Sequence, residues 1–551
     1  MLRLIRSNWL IISVFAISLS FSLFLISPVL LTIPKTPSDT VNMLVGHYFE
    51  DYYEYITFVK QGQNGHLILS NVFSNDDPSK YIAVWWPYSL MGFITYLLKI
   101  PVPSQIVFWL SSASFSFVFF IIIYVAICRL LPKEKNITKF FAFLFVLFSG
   151  DLFTVSFSPK LTFTPISYWY AIGSPFNRFS NAVPHHQLAQ IILLLGLLFV
   201  SRENKNLGHA KETAVLFVFS LLLLSLSPPQ LILFWLAILT VNLITILKGR
   251  IKIPKIAGKT LITDLGQRAF LPFLLSLILT LPFAFLLSRQ TSSSSSLLAG
   301  KIWDISHYYY PSLSLFAQNT GLLLVLAILG LPFYFSRLSF PRLVFFFLVF
   351  FSFLLSLAPS FMPLLKLAGI HNLRFETPSS YLFLAASSIL FLQKILKKTL
   401  FYYALFTAVM FFFSLSLYAN FQIMLKVPYM AGNLQFVPAF VYQGIKTLGK
   451  TDKLILSAPS SNYGLLTTAL TGNKVYLGRS IFTLNQNEKA QKALLFYELK
   501  MTENQAKDFL EKENIGYVLL SPWEQDPQKI LAKYGFLRIF FQNNYLTIFS
   551  H

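Results

Sequence analysis

Glu50 and Asp51 stand side by side in the run Gly46-His47-Tyr48-Phe49-Glu50-Asp51-Tyr52-Tyr53-Glu54-Tyr55. Carboxylates set among aromatic rings can be partly desolvated, which raises their pKa and suits general-base chemistry. The same pair could instead open a helix, where acidic side chains favour the positive end of the dipole. Local sequence does not separate the two readings. Glu54 and Tyr55 follow at once and are expected to line the same cavity.

Asp151 lies in the apolar stretch 140–157, and an acid placed within a membrane span marks a polar cavity by default. It is expected to face the cavity of Asp51. Arg178, in Asn177-Arg178-Phe179, is a further cavity candidate. His185 and His186 are adjacent, so on a helix they point to different faces and make a poor chelating pair. One of them beside a lipid phosphate is the functional reading, and a polar cap on the next helix is the alternative. Arg374, in His371-Asn372-Leu373-Arg374-Phe375-Glu376, offers a guanidinium fork matched to phosphate oxygens. A surface pair with Glu376 would explain it equally simply. Asp76-Asp77 could bind a divalent cation through oxygen, although Asn75-Asp76-Asp77-Pro78 reads better as a turn. Cys128 is the single cysteine, which rules out an intrachain disulfide and any metal site of several cysteines.

The elements that must position these residues are membrane helices. Hydrophobic residues make up 55% of the 551 and charged residues 12%, about half the charge of a soluble domain. Apolar runs fall near 9–33, 104–128, 140–157, 188–201, 214–227, 230–247, 269–288, 320–336, 343–362, 380–393 and 400–418. The first is too long for a signal-peptide core and reads as an uncleaved anchor. Eleven spans are expected, with a tight hairpin at Ser227-Pro228-Pro229. With Arg3 and Arg6 inside, the short inner segments hold 20 of the 44 Lys and Arg, and the much longer outer connections hold 10. The N-terminus is therefore expected in the cytoplasm and the C-terminal tail outside. The formal charge of +22 then follows from topology and calls for no nucleic acid. Seven of the eight histidines and most acids fall on the outer side, where Glu134, Glu203, Glu212, Asp264 and His209 do not.

The first outer loop, 34–103, is the longest connection before the tail, and connections of that length are usually functional or disordered. Its aromatic patterning argues against disorder. Trp85-Trp86-Pro87-Tyr88 leads into an amphipathic helix lying in the membrane plane. The loop 158–187 carries Arg178 and the histidine pair. The loop 289–319 carries a serine run, 292–296, read as a flexible lid, and Tyr308-Tyr309-Tyr310, which could stack on a sugar or sit at the lipid interface. From about 420 the composition turns polar. Strands are expected at 454–458, 474–477, 517–521, 537–541 and 545–549, and helices at 463–471, 488–500, 503–514 and 527–534. Asn543-Asn544 signals a hairpin. The expected architecture is a mainly α polytopic membrane domain, 1–419, followed by a small extracytoplasmic α/β domain, 420–551. No Gly-rich dinucleotide motif of the GxGxxG type appears in it.

Glu50-Asp51 in a long first outer loop, many spans, Arg374 in a later outer loop and an external tail domain together resemble the GT-C superfamily of membrane glycosyltransferases. The resemblance covers the layout of most of the chain and rests on short motifs. It implies transfer of a sugar from a polyprenyl-phosphate carrier to an envelope glycan, lipid or protein acceptor, at the outer face of the cell's inner or plasma membrane. In that family an acid of the first outer loop is catalytic base or metal ligand, a role that falls here on Asp51 with Glu50 beside it. Many members show Asp-Glu or Asp-Asp there, whereas this chain has Glu-Asp, which leaves the assignment between the two open. Arg374, with His185 or His186, would stabilise the departing lipid phosphate. A divalent cation, Mg or Mn, is compatible with the resemblance, although the sequence shows no full ligand set. A ligase or polymerase using a lipid-linked oligosaccharide is the nearest rival. A transporter should show an internal repeat, and none is present. A non-catalytic scaffold would need none of these carboxylates.

Overall fold

A computed structural model describes residues 2–46, 48–76, 80–81, 83–157, 160–168, 171–202, 208–250, 259–395, 399–430 and 432–551. His47, Asp77 and Glu203, singled out in the sequence, lie outside the described residues. Among the described residues, seven helices are long and apolar enough to cross a membrane: Trp9–Lys35, Ser104–Leu130, His209–Leu226, Pro228–Leu247, Phe270–Ser293, Phe340–Leu357 and Tyr403–Tyr429. Leu313–Thr320 and Leu322–Phe335 meet at 92° and would make an eighth if counted as one broken span. Asn136–Phe148, Pro184–Val200 and Ser380–Ile395 are apolar but shorter. Each of the eleven apolar runs thus carries a helix, while seven or eight meet the length a bilayer asks of a single helix. The chain is a multi-pass membrane protein.

The described residues form two compact units. The first comprises Met1–Leu25, Ser112–Leu287 and Asp304–Met424. Its helices pack through small side chains and aromatic rings. Ser387 and Ser388 of the helix Ser380–Ile395 donate hydroxyl hydrogen bonds to the carbonyls of Ala327 and Leu323, at 2.7 and 3.2 Å. Small residues of this kind let two apolar helices approach closely without an orphaned donor. Phe141 stacks on Phe406 with ring centroids 3.9 Å apart. The hairpin at the double proline is present. Ser227 leaves the helical region after His209–Leu226, and Pro228 opens the next helix, where its missing N–H costs nothing.

Two expectations, one in this unit and one in the segment Ser288–Trp303 of the other, change. The run 140–157 is not one helix, because the helix Asn136–Phe148 stops before Ser149-Gly150. The chain then forms the strand Phe153–Ser156, paired antiparallel with Thr162–Pro165. The backbone of Leu152 donates to the carbonyl of Gln318 at 2.8 Å, so this stretch finds its partners outside a helix. Asp151 therefore sits in the connection after a helix, not within a span. The serine run is also not a loop. Lys259–Ser293 and Ser295–Ser306 are helices, and the N–H groups of Ser294 and Leu298 keep the i to i−4 ladder across the join.

The second unit comprises Ile26–Ser111, Ser288–Trp303 and Leu425–His551, so the tail shares one body with the long loop after the first span. Thr40–Asn42 pairs antiparallel with Phe436–Pro438, and Tyr53 donates its hydroxyl to the carbonyl of Leu434. The helix Phe49–Gln63 crosses Trp86–Leu97 at Gly62 and Gly92. A Cβ at Gly62 would lie 2.1 Å from the carbonyl oxygen of Ser89, and one at Gly92 2.0 Å from that of Val59, so neither position admits a side chain. In the tail, a four-stranded sheet runs in the order Leu454–Leu456, Ile515–Leu520, Thr547–Ser550, Arg538–Gln542, with the first pair parallel. Tyr463–Thr471, Gln486–Tyr497, Glu503–Lys512 and Pro527–Lys533 are helical, close to expectation. The expected strand at 474–477 is reduced to a bridge between Ile455 and Val475. Val475 instead donates its N–H to the carbonyl of Val72 in the long loop.

Candidate active site

The helix Phe49–Gln63 begins with Glu50 and Asp51 in its first turn and carries Glu54 one turn on, so the three acids share a side of the helix. They converge on one group that the sequence reading passed over, the guanidinium of Arg479. It forms ion pairs with Asp51 through Nη2, with Glu54 through Nη1, and with Glu50 at 3.8 Å through Nε. Arg479 follows the tail segment that bridges to Ile455, and its guanidinium lies 5.4 Å from the ring centre of Phe482. Its only local flag is a basic residue inside the apolar stretch Val475 to Phe482.

Exposure separates the three acids. The side chain of Glu54 is 2% exposed and that of Arg479 8%, so each needs the other, because an unpaired buried charge is very costly. Asp51 remains 37% exposed. Burial pushes the Glu50 carboxyl above its ordinary range, and Asp51 adds to that, while Arg479 and a hydrogen bond from Ser480 at 3.4 Å pull it back. Asp51 is thus the most exposed member of the cluster, followed by Glu50, while Glu54 and Arg479 are enclosed. Tyr55 lies flat against Tyr88, centroids 4.7 Å apart, in an aromatic stack that includes Phe108.

A second buried cation ties the long loop to the tail within the same unit. Lys489 Nζ pairs with Asp76 at 2.5 Å and also donates to Asn75 and to Ser74 Oγ. Asp76 is therefore held by a lysine. Among the described residues, no group of three His, Cys, Asp or Glu side chains is arranged to hold a metal ion.

The remaining candidates belong to the first unit. Arg178 is fully buried and spends its donors on the backbone. Nε donates to the Ile172 carbonyl, Nη1 to the Val146 carbonyl and Ser149 Oγ, and Nη2 to the carbonyls of Ser149 and Gly173, at 2.6–3.1 Å. The face of Tyr381 lies 3.6 Å from its Cζ. Asp151 is equally enclosed. Its Oδ1 accepts from Ser416 Oγ and Asn420 Nδ2, both at 2.8 Å, and burial lifts its pKa to about 6 against those two bonds. The turn that carries it abuts Gly321, whose φ of 70° and contact with the Gly150 carbonyl exclude a side chain.

Arg374 pairs with Asp304 at 2.8 Å, not with Glu376. Glu376 is buried and accepts a 2.5 Å hydrogen bond from Tyr168, and desolvation raises its pKa to about 8. His185 and His186 open the helix Pro184–Val200, and their rings lie side by side, 4.0 Å between centroids, rather than on different faces. The structure thus joins Glu50, Asp51 and Glu54 in one cluster, and sets Asp151, Arg178, His185, His186 and Arg374 in the other unit.

No family model matches the chain, and no curated protein matches it. Solved structures do. The chain is similar to the oligosaccharyltransferase AglB of the archaeon Archaeoglobus fulgidus, solved with an inhibitory peptide and a dolichol-phosphate. The two share 13% identity and a TM-score of 0.51, over 94% of this chain and 70% of that one. A second structure of an Archaeoglobus fulgidus oligosaccharyltransferase, tethered to an acceptor peptide through a disulfide, gives 12% identity and a TM-score of 0.52 over 94% and 69%. At this level of identity the likeness establishes the fold. The fold is the one these two oligosaccharyltransferase structures share.

Proposed function

We propose that this chain is a membrane glycosyltransferase that takes a glycan from a polyprenyl-phosphate carrier and passes it to an envelope acceptor. Asp51 acts as the base. The observation that carries this reading is the cluster on Phe49–Gln63, in which Asp51 is the most exposed acid, at 37% against 24% for Glu50 and 2% for Glu54, and faces a fixed cationic neighbour. The fold supports it, because two structures of the same architecture are named oligosaccharyltransferases. Asp51 would take the proton of an acceptor hydroxyl as that oxygen attacks the anomeric carbon, with inversion there. The departing group is the lipid phosphate. Arg374 is the proposed phosphate ligand by its chemistry, with His185 or His186 in support. The charge bias between segments supports an N-terminus in the cytoplasm and a candidate base on the far side of the membrane, where a lipid-linked donor is available and a nucleotide sugar is not.

A second reading differs in the size of the donor. The related structures belong to oligosaccharyltransferases, one of them tethered to an acceptor peptide, which favours transfer of a preassembled chain to protein. One assay separates the two. Purified protein in nanodiscs is supplied with radiolabelled polyprenyl-phosphate monosaccharides or with lipid-linked oligosaccharides, and with crude envelope or peptide acceptors. Asp51→Asn is expected to lower transfer about 10²–10⁴-fold, the range of a lost general base. Transfer unchanged in the variant would move the base to Glu50 or Asp151. A preparation that transfers from no donor to an acceptor known to be present would reject the glycosyltransferase reading.

A further inference from the structure

The resemblance leaves room for a divalent cation at the carboxylates of the long loop, and the geometry does not fit one. Glu50, Asp51 and Glu54 supply the oxygens a hard cation would use, but each already faces a nitrogen of Arg479. A guanidinium is permanently charged and directs a planar fork of donors at carboxylates, so it can hold several at fixed angles. It cannot be exchanged for solvent ions. Its side chain is 8% exposed, its partner Glu54 2%, and the ring of Phe482 flanks it. A divalent ion inserted among the same oxygens would have to share them with a cation already in contact, at close-range repulsion.

We propose that Arg479 takes the place of a divalent cation in this cluster, as the positioning residue that orients Asp51 and neutralises Glu54. The inference rests on Glu50 and Asp51 being the functional carboxylates. Its physical content, one cation site filled by an arginine, can be tested without any turnover. It predicts a protein that binds no divalent metal at this cluster, and a latent metal site that appears once the guanidinium is removed.

Full-length protein is purified, stripped with EDTA and titrated with MnCl₂ while the EPR signal of free Mn(II) is followed. Wild type and Arg479→Lys, which keeps a charge there, should leave the free signal as it is in buffer. Arg479→Ala should deplete it, and adding Glu54→Gln to that variant should restore it. Wild-type binding of Mn(II) that Glu54→Gln abolishes would overturn the proposal. So would an Arg479→Ala protein that folds and leaves the free signal untouched. If Arg479→Ala does not fold, the wild-type and Arg479→Lys titrations still decide. Where transfer is measurable, EDTA should leave the wild-type rate unchanged, and a rate lost in EDTA and regained with Mn(II) would count against Arg479. A chain with no transfer activity would fail the functional reading alone, since the EPR result stands apart from it.

Discussion

Two buried arginines show how differently this molecule handles a cation away from water. Arg178 in the first unit faces four backbone carbonyls, a serine hydroxyl and the face of Tyr381, with no carboxylate in hydrogen-bond contact. Arg479 in the second unit faces three carboxylates. Fixed dipoles cannot titrate and cannot leave, so Arg178 is a clamp: it binds the end of the helix Asn136–Phe148 to the turn at Ile172 and Gly173. Carboxylates can be protonated, reoriented or offered to a reacting group, so Arg479 governs a site that can still do chemistry. Burial alone does not distinguish structure from function. The chemical type of the partner does.

The contrast is most severely tested by replacing each arginine with lysine. Lysine carries the charge but not the planar fork. Arg178→Lys should destabilise the protein by at least about 3 kcal/mol, because several buried carbonyls lose their donor at roughly 1–3 kcal/mol each. Arg479→Lys, still facing carboxylates, should lose clearly less. Thermal unfolding in one detergent measures both, and equal losses would break the distinction.

The next effect concerns two buried acids that make no ion pair with an arginine among the described residues. The folded pKa of Glu376 is raised from 4.5 to about 8, so the native state holds its proton more tightly than the unfolded chain does. Its stabilising contribution is present below the unfolded pKa and is lost as pH rises through about 8. Asp151 follows the same sign with a folded pKa of about 6. The melting temperature should therefore fall as pH rises from about 5 to about 8 and level off above that, and Glu376→Gln should flatten that fall. A wild-type melting temperature that rises over this interval would contradict the desolvated state of Glu376. The smallest effect is expected at Arg374 and Asp304, whose guanidinium side chain is 37% exposed. Asp304→Asn should cost no more than about 1 kcal/mol, as partly exposed pairs do. A larger loss would assign Arg374 a structural duty like that of Arg178.

How much of this was legible in the sequence depended on range. Hydropathy is local, so each apolar run held a helix, and the double proline marked a helix boundary without outside help. The tail helix at 463–471 and the turn at Asn543-Asn544 between two antiparallel strands were equally local. Local signals failed where distant backbone supplied the partner. Composition carried the run 140–157 through Ser149 and Gly150, but Leu152 bonds to Gln318 and the helix stops. The serine run looked mobile because serine favours loops in isolation, yet its backbone continues a helical ladder. The carboxylates of the candidate site were visible as a cluster at 50–54. Their arginine was not, because an ion pair 428 residues apart leaves no periodicity to read.

That separation also sets a clock. Protein synthesis adds roughly 5–20 residues each second, so Arg479 is made about 20–90 s after Asp51. During that interval the nascent helix Phe49–Gln63 carries three acids without the cation that later encloses one of them. The second unit therefore cannot complete this cluster in the order in which it is translated, and its early segment must wait for one made 428 residues later.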